Sequence, residues 1–254
     1  MRVPALLRSI VLTIGLVFAV CNLLLAIPAD VSHYPADPGS LPGKGPANKW
    51  GGLPAVWAQR HAEFAKTADQ DHDGVVFLGD SITQGWKSLG QDFPNLKTVN
   101  RGIGGDTTRG VLYRLDADVL SLEPRAVVLL IGTNDIGNNG ADPSDVADNI
   151  KAIIMAIHHK YPHLPVVVCE VMPSSETKQR PADKIEKLNG LIKKDVRWSS
   201  HTYLCDTWTI FADAHGDAPQ NIFPDLLHPN ASGYAKWTAA LKPIFAKRNI
   251  QKTE

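Results

Sequence analysis

Three side chains in this sequence have the types and the setting to do chemistry together: a serine, a carboxylate and an imidazole. Ser81 lies in Gly79-Asp80-Ser81-Ile82, directly after the apolar run Val75-Val76-Phe77-Leu78. At a strand-to-helix junction a helix N-terminus stabilises developing negative charge, so Ser81 stands where a nucleophile would; a serine there can also be a simple helix cap. A serine hydroxyl is a weak nucleophile near neutral pH and needs a base held in one tautomer by a carboxylate. Pro224-Asp225-Leu226-Leu227-His228-Pro229 supplies both, with Asp225 three residues before His228. One imidazole nitrogen could then bond Asp225 while the other faces Ser81, although two polar residues at this spacing also make ordinary turns.

Acyl transfer further needs donors aimed at the oxyanion, each worth about a hundredfold to a thousandfold in rate. Two loops offer them. In Asn100-Arg101-Gly102-Ile103-Gly104-Gly105-Asp106-Thr107 the glycines let backbone approach a ligand, and in Gly132-Thr133-Asn134-Asp135 the Asn134 amide is a side-chain donor. A tight turn and a turn asparagine are the plain readings of the same segments. The glycine spacing fits neither a dinucleotide fingerprint nor a P-loop. Trp86, one turn beyond Ser81, is a candidate lining for an acyl or sugar pocket and equally a candidate core residue.

These segments need elements to position them. Short continuous apolar runs at Val75–Leu78, Thr98–Asn100, Ala126–Ile131, Val166–Val171 and Tyr203–Cys205 read as strands. Helical periodicity covers Ala55–Ala68, Thr107–Leu115, Pro143–His159, Ala182–Trp198 and Ala231–Ala246, with Asp142 as a cap and Pro143 at the first helical position. The alternation predicts an α/β fold: a three-layer α/β/α sandwich with a central parallel sheet, flavodoxin-like, and a site outside the carboxyl ends of the strands.

The four segments, in this order, resemble the four blocks of the SGNH hydrolases, the GDSL esterase and lipase family. Asn100 to Leu115 is especially similar to the catalytic subunits of intracellular platelet-activating-factor acetylhydrolase. The resemblance implies Ser81 as nucleophile, Asp225 and His228 as the rest of a triad, and an oxyanion hole of Ser81 N–H, Gly105 N–H and the Asn134 amide. It implies no cofactor. The expected activity is hydrolysis of short-chain acyl esters, acetyl first, on carbohydrate outside the cytoplasm. A short-acyl lipid esterase, an acyltransferase to an acceptor other than water and a non-catalytic surface binding module are the alternatives.

Composition sets the surroundings. Lysine plus arginine and aspartate plus glutamate number 26 each, so no net field draws nucleic acid, and the partner is a small-molecule or carbohydrate acyl ester. Arg2 and Arg8 precede an apolar run from Ile10 to Ile27, which marks residues 1–29 as a signal peptide or N-terminal membrane anchor. Residues 30–52, with Pro35, Pro38, Pro42 and Pro46, read as a flexible spacer before a hydrolase domain at 53–254. Cys21 lies in the leader, in a poor lipoprotein context, and Cys169 and Cys205 sit in strand-like runs as small buried hydrophobes.

Other motifs carry weaker signals. Asp69-Gln70-Asp71-His72-Asp73-Gly74 copies the opening of a calcium loop, but the register then runs into a strand, and a solvated acidic turn is the preferred reading. His158, His159 and His163 cluster at a helix end, where they suit the dipole or solvent. Asn230-Ala231-Ser232 fits the glycosylation pattern but stands at an expected helix start.

Overall fold

The computed structural model describes residues 30–250, so the leader expected at residues 1–29 lies outside the described residues. The apolar runs form one parallel sheet in the order β2-β1-β3-β4-β5, from β1 (Val75–Gly79), β2 (Thr98–Gly102), β3 (Ala126–Leu130), β4 (Val166–Cys169) and β5 (Thr202–Cys205). Between and around them lie α1 (Leu53–Thr67), α2 (Ser81–Gln84), α3 (Leu89–Asp92), α4 (Thr108–Asp118), α5 (Thr133–Gly137), α6 (Pro143–Lys160), α7 (Ala182–Arg197) and α8 (Ala231–Lys247). Among the described residues no helix is long and apolar enough to cross a membrane.

Side chains alternate across a strand, and both faces of β1, β3 and β4 are buried, so these central strands read as unbroken apolar runs. Val76 and Leu78 of β1 enter one layer, with Val127 and Leu129 of β3. Val75 and Phe77 enter the other, with Val128 and Leu130. The first layer is closed by α4, α6 and α7. Along α6 the buried residues include Val146, Ile150, Ile153 and Ile157, the helical spacing that puts one stripe on the sheet. Trp237, Leu241 and Phe245 of α8 close the second, beside Trp86 and Phe93. The expected three-layer sandwich is therefore present.

Order 2-1-3-4-5 reverses at β1: the chain first moves outward to β2, then crosses back to β3 on the other side. Where crossovers diverge a crevice opens beyond the strand ends, and the loops after β1, β2 and β3 face it.

Within residues 30–52, expected as a flexible spacer, residues 31–50 are packed as a strap against α1, α4 and α6. Apart from one 3-10 turn at Pro38–Ser40, proline and glycine keep this segment out of regular structure, which leaves most of its carbonyls in need of donors. Arg109 on α4 meets that need. Its guanidinium donates to Gly39 O at 2.9 Å, Gly45 O at 3.0 Å, Pro42 O at 3.2 Å and also to Leu41 O. Asn149 on α6 accepts from Lys44 N–H at 2.7 Å and donates to Lys44 O at 2.9 Å. Tyr34 and Leu41 are buried with Leu53, Trp57 and Phe64 of α1 and with Ile103.

Candidate active site

At the end of β1 the carboxylate of Asp80 accepts the Ile82 N–H at 2.9 Å and caps α2, which begins on Ser81. Because α2 is a single turn of 4 residues, it offers Ser81 nearby N–H donors and no long helix dipole. Asp80 itself is buried. Burial pushes its carboxyl up to about 7, against the Ile82 N–H that favours the ionised form, and Asp106 and Asp135 add to the rise.

The loop after Phe223 brings the imidazole to the serine. Asp225 Oδ1 accepts from Leu227 N–H at 3.1 Å and from His228 N–H at 2.7 Å, and its Oδ2 faces His228 Nδ1 at 2.7 Å. A single carboxylate thus shapes the backbone turn and orients the ring. Leu226 between them takes the left-handed conformation, φ 63°, and its carbonyl accepts from Ser174 Oγ at 2.8 Å. Burial raises the Asp225 carboxyl, but the bonds from His228 and Leu227 outweigh it and hold it down at about 2. An ionised Asp225 only accepts, so Nδ1 carries the proton in neutral His228 and Nε2 is left as an acceptor. Nε2 lies 2.8 Å from Ser81 Oγ, across 147 residues of sequence.

The two donor loops flank this pair. Asp106 N–H returns to Ile103 O at 3.1 Å, closing a turn in which Gly105 has φ 79°, a conformation that glycine takes without a Cβ penalty. Gln84 on α2 accepts the Gly104 N–H at 2.6 Å, joining the turn to the serine helix. Arg114, fully buried, donates to Asp106 Oδ2 at 2.8 Å and to Gly79 O at 3.0 Å, tying the same turn to the end of β1. Asn134 is the second residue of α5, just after β3, and its Nδ2 donates one proton to Asp106 O at 2.9 Å. The same nitrogen carries a second proton. Its Oδ1 accepts from Arg180 Nη2 at 3.0 Å and Asn138 Nδ2 at 3.3 Å, which fixes the amide's orientation.

Ser81, His228, Asp225, Gly105 and Asn134 are therefore brought together. Trp86 is not part of this opening. It is 2% exposed, stacks on Tyr234 with ring centroids 5.3 Å apart, packs tilted against Trp237 at 4.5 Å, and gives its N–H to Asp92 at 2.6 Å. The sequence reading had no means of seeing those partners, since Tyr234 and Trp237 lie on α8.

The acidic turn before β1 is exposed at Asp69, Gln70, His72 and Asp73, the solvated turn expected, and two of its carboxylates meet arginines. Asp71 pairs with Arg101 at 2.8 Å and Asp73 with Arg125 at 2.6 Å. His158 Nε2 lies 3.0 Å from Leu164 O, and His163 Nδ1 lies 3.2 Å from His201 Nε2. Asn230 caps α8, accepting from Gly233 N–H at 3.1 Å. Cys169 and Cys205 are buried free thiols at registered positions of β4 and β5.

Several residues that hold this geometry escaped the sequence reading: Gln84, Arg114, Arg180 and, from the strap, Asn48 and Trp50. The signal for Arg180 was slight, a lone arginine ahead of Pro181. Asn48 and Trp50 fell in a segment that composition marked as a spacer. Asn48 Nδ2 donates to Gly105 O at 2.7 Å.

Residues 77–236 match the GDSL-like Lipase/Acylhydrolase family. Platelet-activating factor acetylhydrolase IB subunit alpha2 of Homo sapiens is 32% identical over 187 residues, covering 71% of this chain and 79% of that one. Subunit alpha1 of Pongo abelii is 29% identical over 198 residues, covering 75% and 83%. Among solved structures, a GDSL-like lipase from Bacteroides thetaiotaomicron superposes with TM-score 0.64 at 25% identity, covering 76% of this chain and 97% of that one.

Proposed function

The chain belongs to the GDSL-like Lipase/Acylhydrolase family, and from that premise we propose that it is a serine esterase for short-chain acyl esters, acetyl above all. Ser81 is the nucleophile, His228 the base and Asp225 the carboxylate behind it. The observation that supports this reading is the hydrogen-bonded chain from Asp225 through His228 to Ser81 Oγ, with links of 2.7 and 2.8 Å.

In this mechanism His228 Nε2 takes the Ser81 proton as Oγ bonds to the ester carbonyl carbon. The oxyanion formed lies among Ser81 N–H, Gly105 N–H and Asn134 Nδ2. Collapse breaks the carbon–oxygen bond to the alcohol, which leaves with the proton from His228. His228 then deprotonates a water that attacks the acyl-enzyme, the acid departs, and Ser81 recovers its proton.

Carbohydrate is the proposed alcohol portion, and the site of action is outside the cytoplasm, supported by the export-type leader in the sequence. A second reading takes short-acyl lipid esters as the substrate. What favours it is that relatives 32% identical are named platelet-activating factor acetylhydrolase.

The test is hydrolysis of 4-nitrophenyl esters from acetyl to octanoyl by the full chain, beside Ser81→Ala and His228→Ala. Acetyl turnover that disappears in both variants is the expected result, and acetylated sugars compared with acetylated lipids then separate the two alcohols. Activity that survives Ser81→Ala refutes the nucleophile.

A further inference from the structure

The strap does more than cover the core, because its last residues run across both donor loops. Asn48 Nδ2 donates to Gly105 O at 2.7 Å, and Lys49 N–H reaches Asn139 Oδ1, beyond Asn134 on the other loop, at 3.4 Å. Asn48 Oδ1 accepts the Trp50 N–H at 2.9 Å, so the bond that holds Gly105 also sets the start of Trp50. The indole lies in a seat made by two glycines. A methyl group on Gly105 would run into the ring, and one on Gly52 would stand 2.7 Å from its Cζ2. A tryptophan clamped this way has a fixed ring, yet 42% of it is open. Gly104, the neighbour of Gly105, is adjacent to the nucleophile: a Cβ there would be 3.9 Å from Ser81 Cβ.

The open ring therefore stands on the oxyanion side of Ser81. The chemistry of the proposed esterase reading decides which part of the substrate lies there. The departing alcohol oxygen must take its proton from His228 Nε2, so the alcohol occupies the His228 side of the tetrahedral carbon. The acyl substituent is left to extend away from His228, past Gly105. We infer that Trp50 is the wall that limits acyl length at this site, and that Asn48 is the positioning residue that fixes both that wall and the Gly105 peptide. This inference rests on the serine esterase reading and adds to it a residue, outside the matched family span, that sets the substrate class to short acyl groups.

The experiment is the chain-length series, acetyl to octanoyl, on the full chain and on Trp50→Ala, Trp50→Phe, Asn48→Ala, Asn48→Gln and Ser81→Ala. Trp198→Ala, at a tryptophan 80% exposed on the last turn region of α7, is the control and keeps the wild-type preference. Unfolding midpoints are recorded for each. In Trp50→Ala the kcat/KM ratio of hexanoyl to acetyl rises about tenfold or more through KM, the worth of a few methylenes in an apolar contact. Trp50→Phe, which keeps an aromatic ring, stays near the wild-type ratio. Asn48→Ala lowers kcat on acetyl ester about tenfold with little change in KM, and Asn48→Gln, which keeps the amide, recovers part of it. An unchanged chain-length preference in a folded Trp50→Ala, with Ser81→Ala inactive, overturns this inference and leaves the esterase reading standing. Activity surviving Ser81→Ala, or no hydrolysis by the wild type at any length, overturns the reading and this inference with it.

Discussion

Arg180 Nη2 donates to Asn134 Oδ1 at 3.0 Å, and together with the bond from Asn134 Nδ2 to Asp106 O at 2.9 Å it fixes the orientation of the Asn134 amide. The same guanidinium donates through Nε to Thr133 O at 3.0 Å and through Nη1 to Lys178 O at 2.6 Å. Its planar fork thus spans the loop after β3 and the segment that leads into α7. With its oxygen held by Arg180 and Asn138, the Asn134 amide turns its nitrogen to Asp106 O at 2.9 Å.

Two substitutions read this relationship. Asn134→Ala removes a proposed oxyanion donor and lowers kcat by about a hundredfold to a thousandfold with a small change in KM. Arg180→Lys leaves Asn134 in place but cannot reproduce the fork, so it lowers kcat in the same sense by about tenfold, from an amide free to turn. Steady-state kinetics on the best nitrophenyl ester measure both. Equal kcat in Arg180→Lys and wild type would show that Asn134 needs no such support.

Asp225 carries a separate prediction. Its carboxylate both shapes the turn and selects the Nδ1–H tautomer of His228. In Asp225→Asn the side-chain oxygen still accepts backbone N–H groups, so the loop is kept while the tautomer is not. The expected loss in kcat is about a thousandfold to ten-thousandfold, with an unfolding midpoint close to wild type. Because the folded carboxyl titrates at about 2, wild-type activity loses nothing to Asp225 protonation between pH 4 and 9. A pH profile whose acidic limb depended on Asp225 would contradict this.

Asp80 links the site to stability. Its carboxyl rises from an ordinary 3.8 to about 7 in the fold, chiefly through burial. A raised folded value means that the fold favours the protonated form, so the contribution is whole below about 4 and is lost as pH rises through 7. The slope over that window is about 1.4 kcal/mol per pH unit. Asp80→Asn keeps an acceptor for the Ile82 N–H and has no charge to bury. Its stability relative to wild type therefore grows from pH 4 to 7 and levels off above, as read by urea unfolding across that range. A difference independent of pH would sink the assignment.

Much of this was legible in the sequence, and the reason differs by element. The runs around Phe77 and Val128 were visible because strands buried on both faces need apolar residues at every position. Asp225 and His228 were visible because their relationship is local, three residues apart. The single-turn helices α3 and α5 were not, since four or five residues hold too little periodicity. Trp86 is core because of α8, a long-range fact. The strap was misjudged for a more general reason: proline and glycine forbid regular ladders but not order. Its carbonyls are satisfied by a side chain, Arg109, whose reach across 64 to 70 residues no local pattern reveals.

Arg109 therefore gives the last prediction. It is buried, and its guanidinium is shared by Gly39, Leu41, Pro42 and Gly45 of the strap. Hydrogen bonds to a charged donor are each worth about 1.5–3 kcal/mol, and truncation strands four acceptors at once. Not all of that loss appears as global unfolding, because the sheet and its two layers do not depend on the strap. Arg109→Ala should instead lower the free energy of local opening by about 2 kcal/mol or more, speeding amide exchange in residues 31–50 about thirtyfold while strands β1 and β3 keep wild-type protection. Since Asn48 and Trp50 end the same segment, the acyl-length preference should loosen in parallel. Unchanged exchange in the strap would mean that apolar packing of Tyr34 and Leu41 against α1 holds it without the arginine.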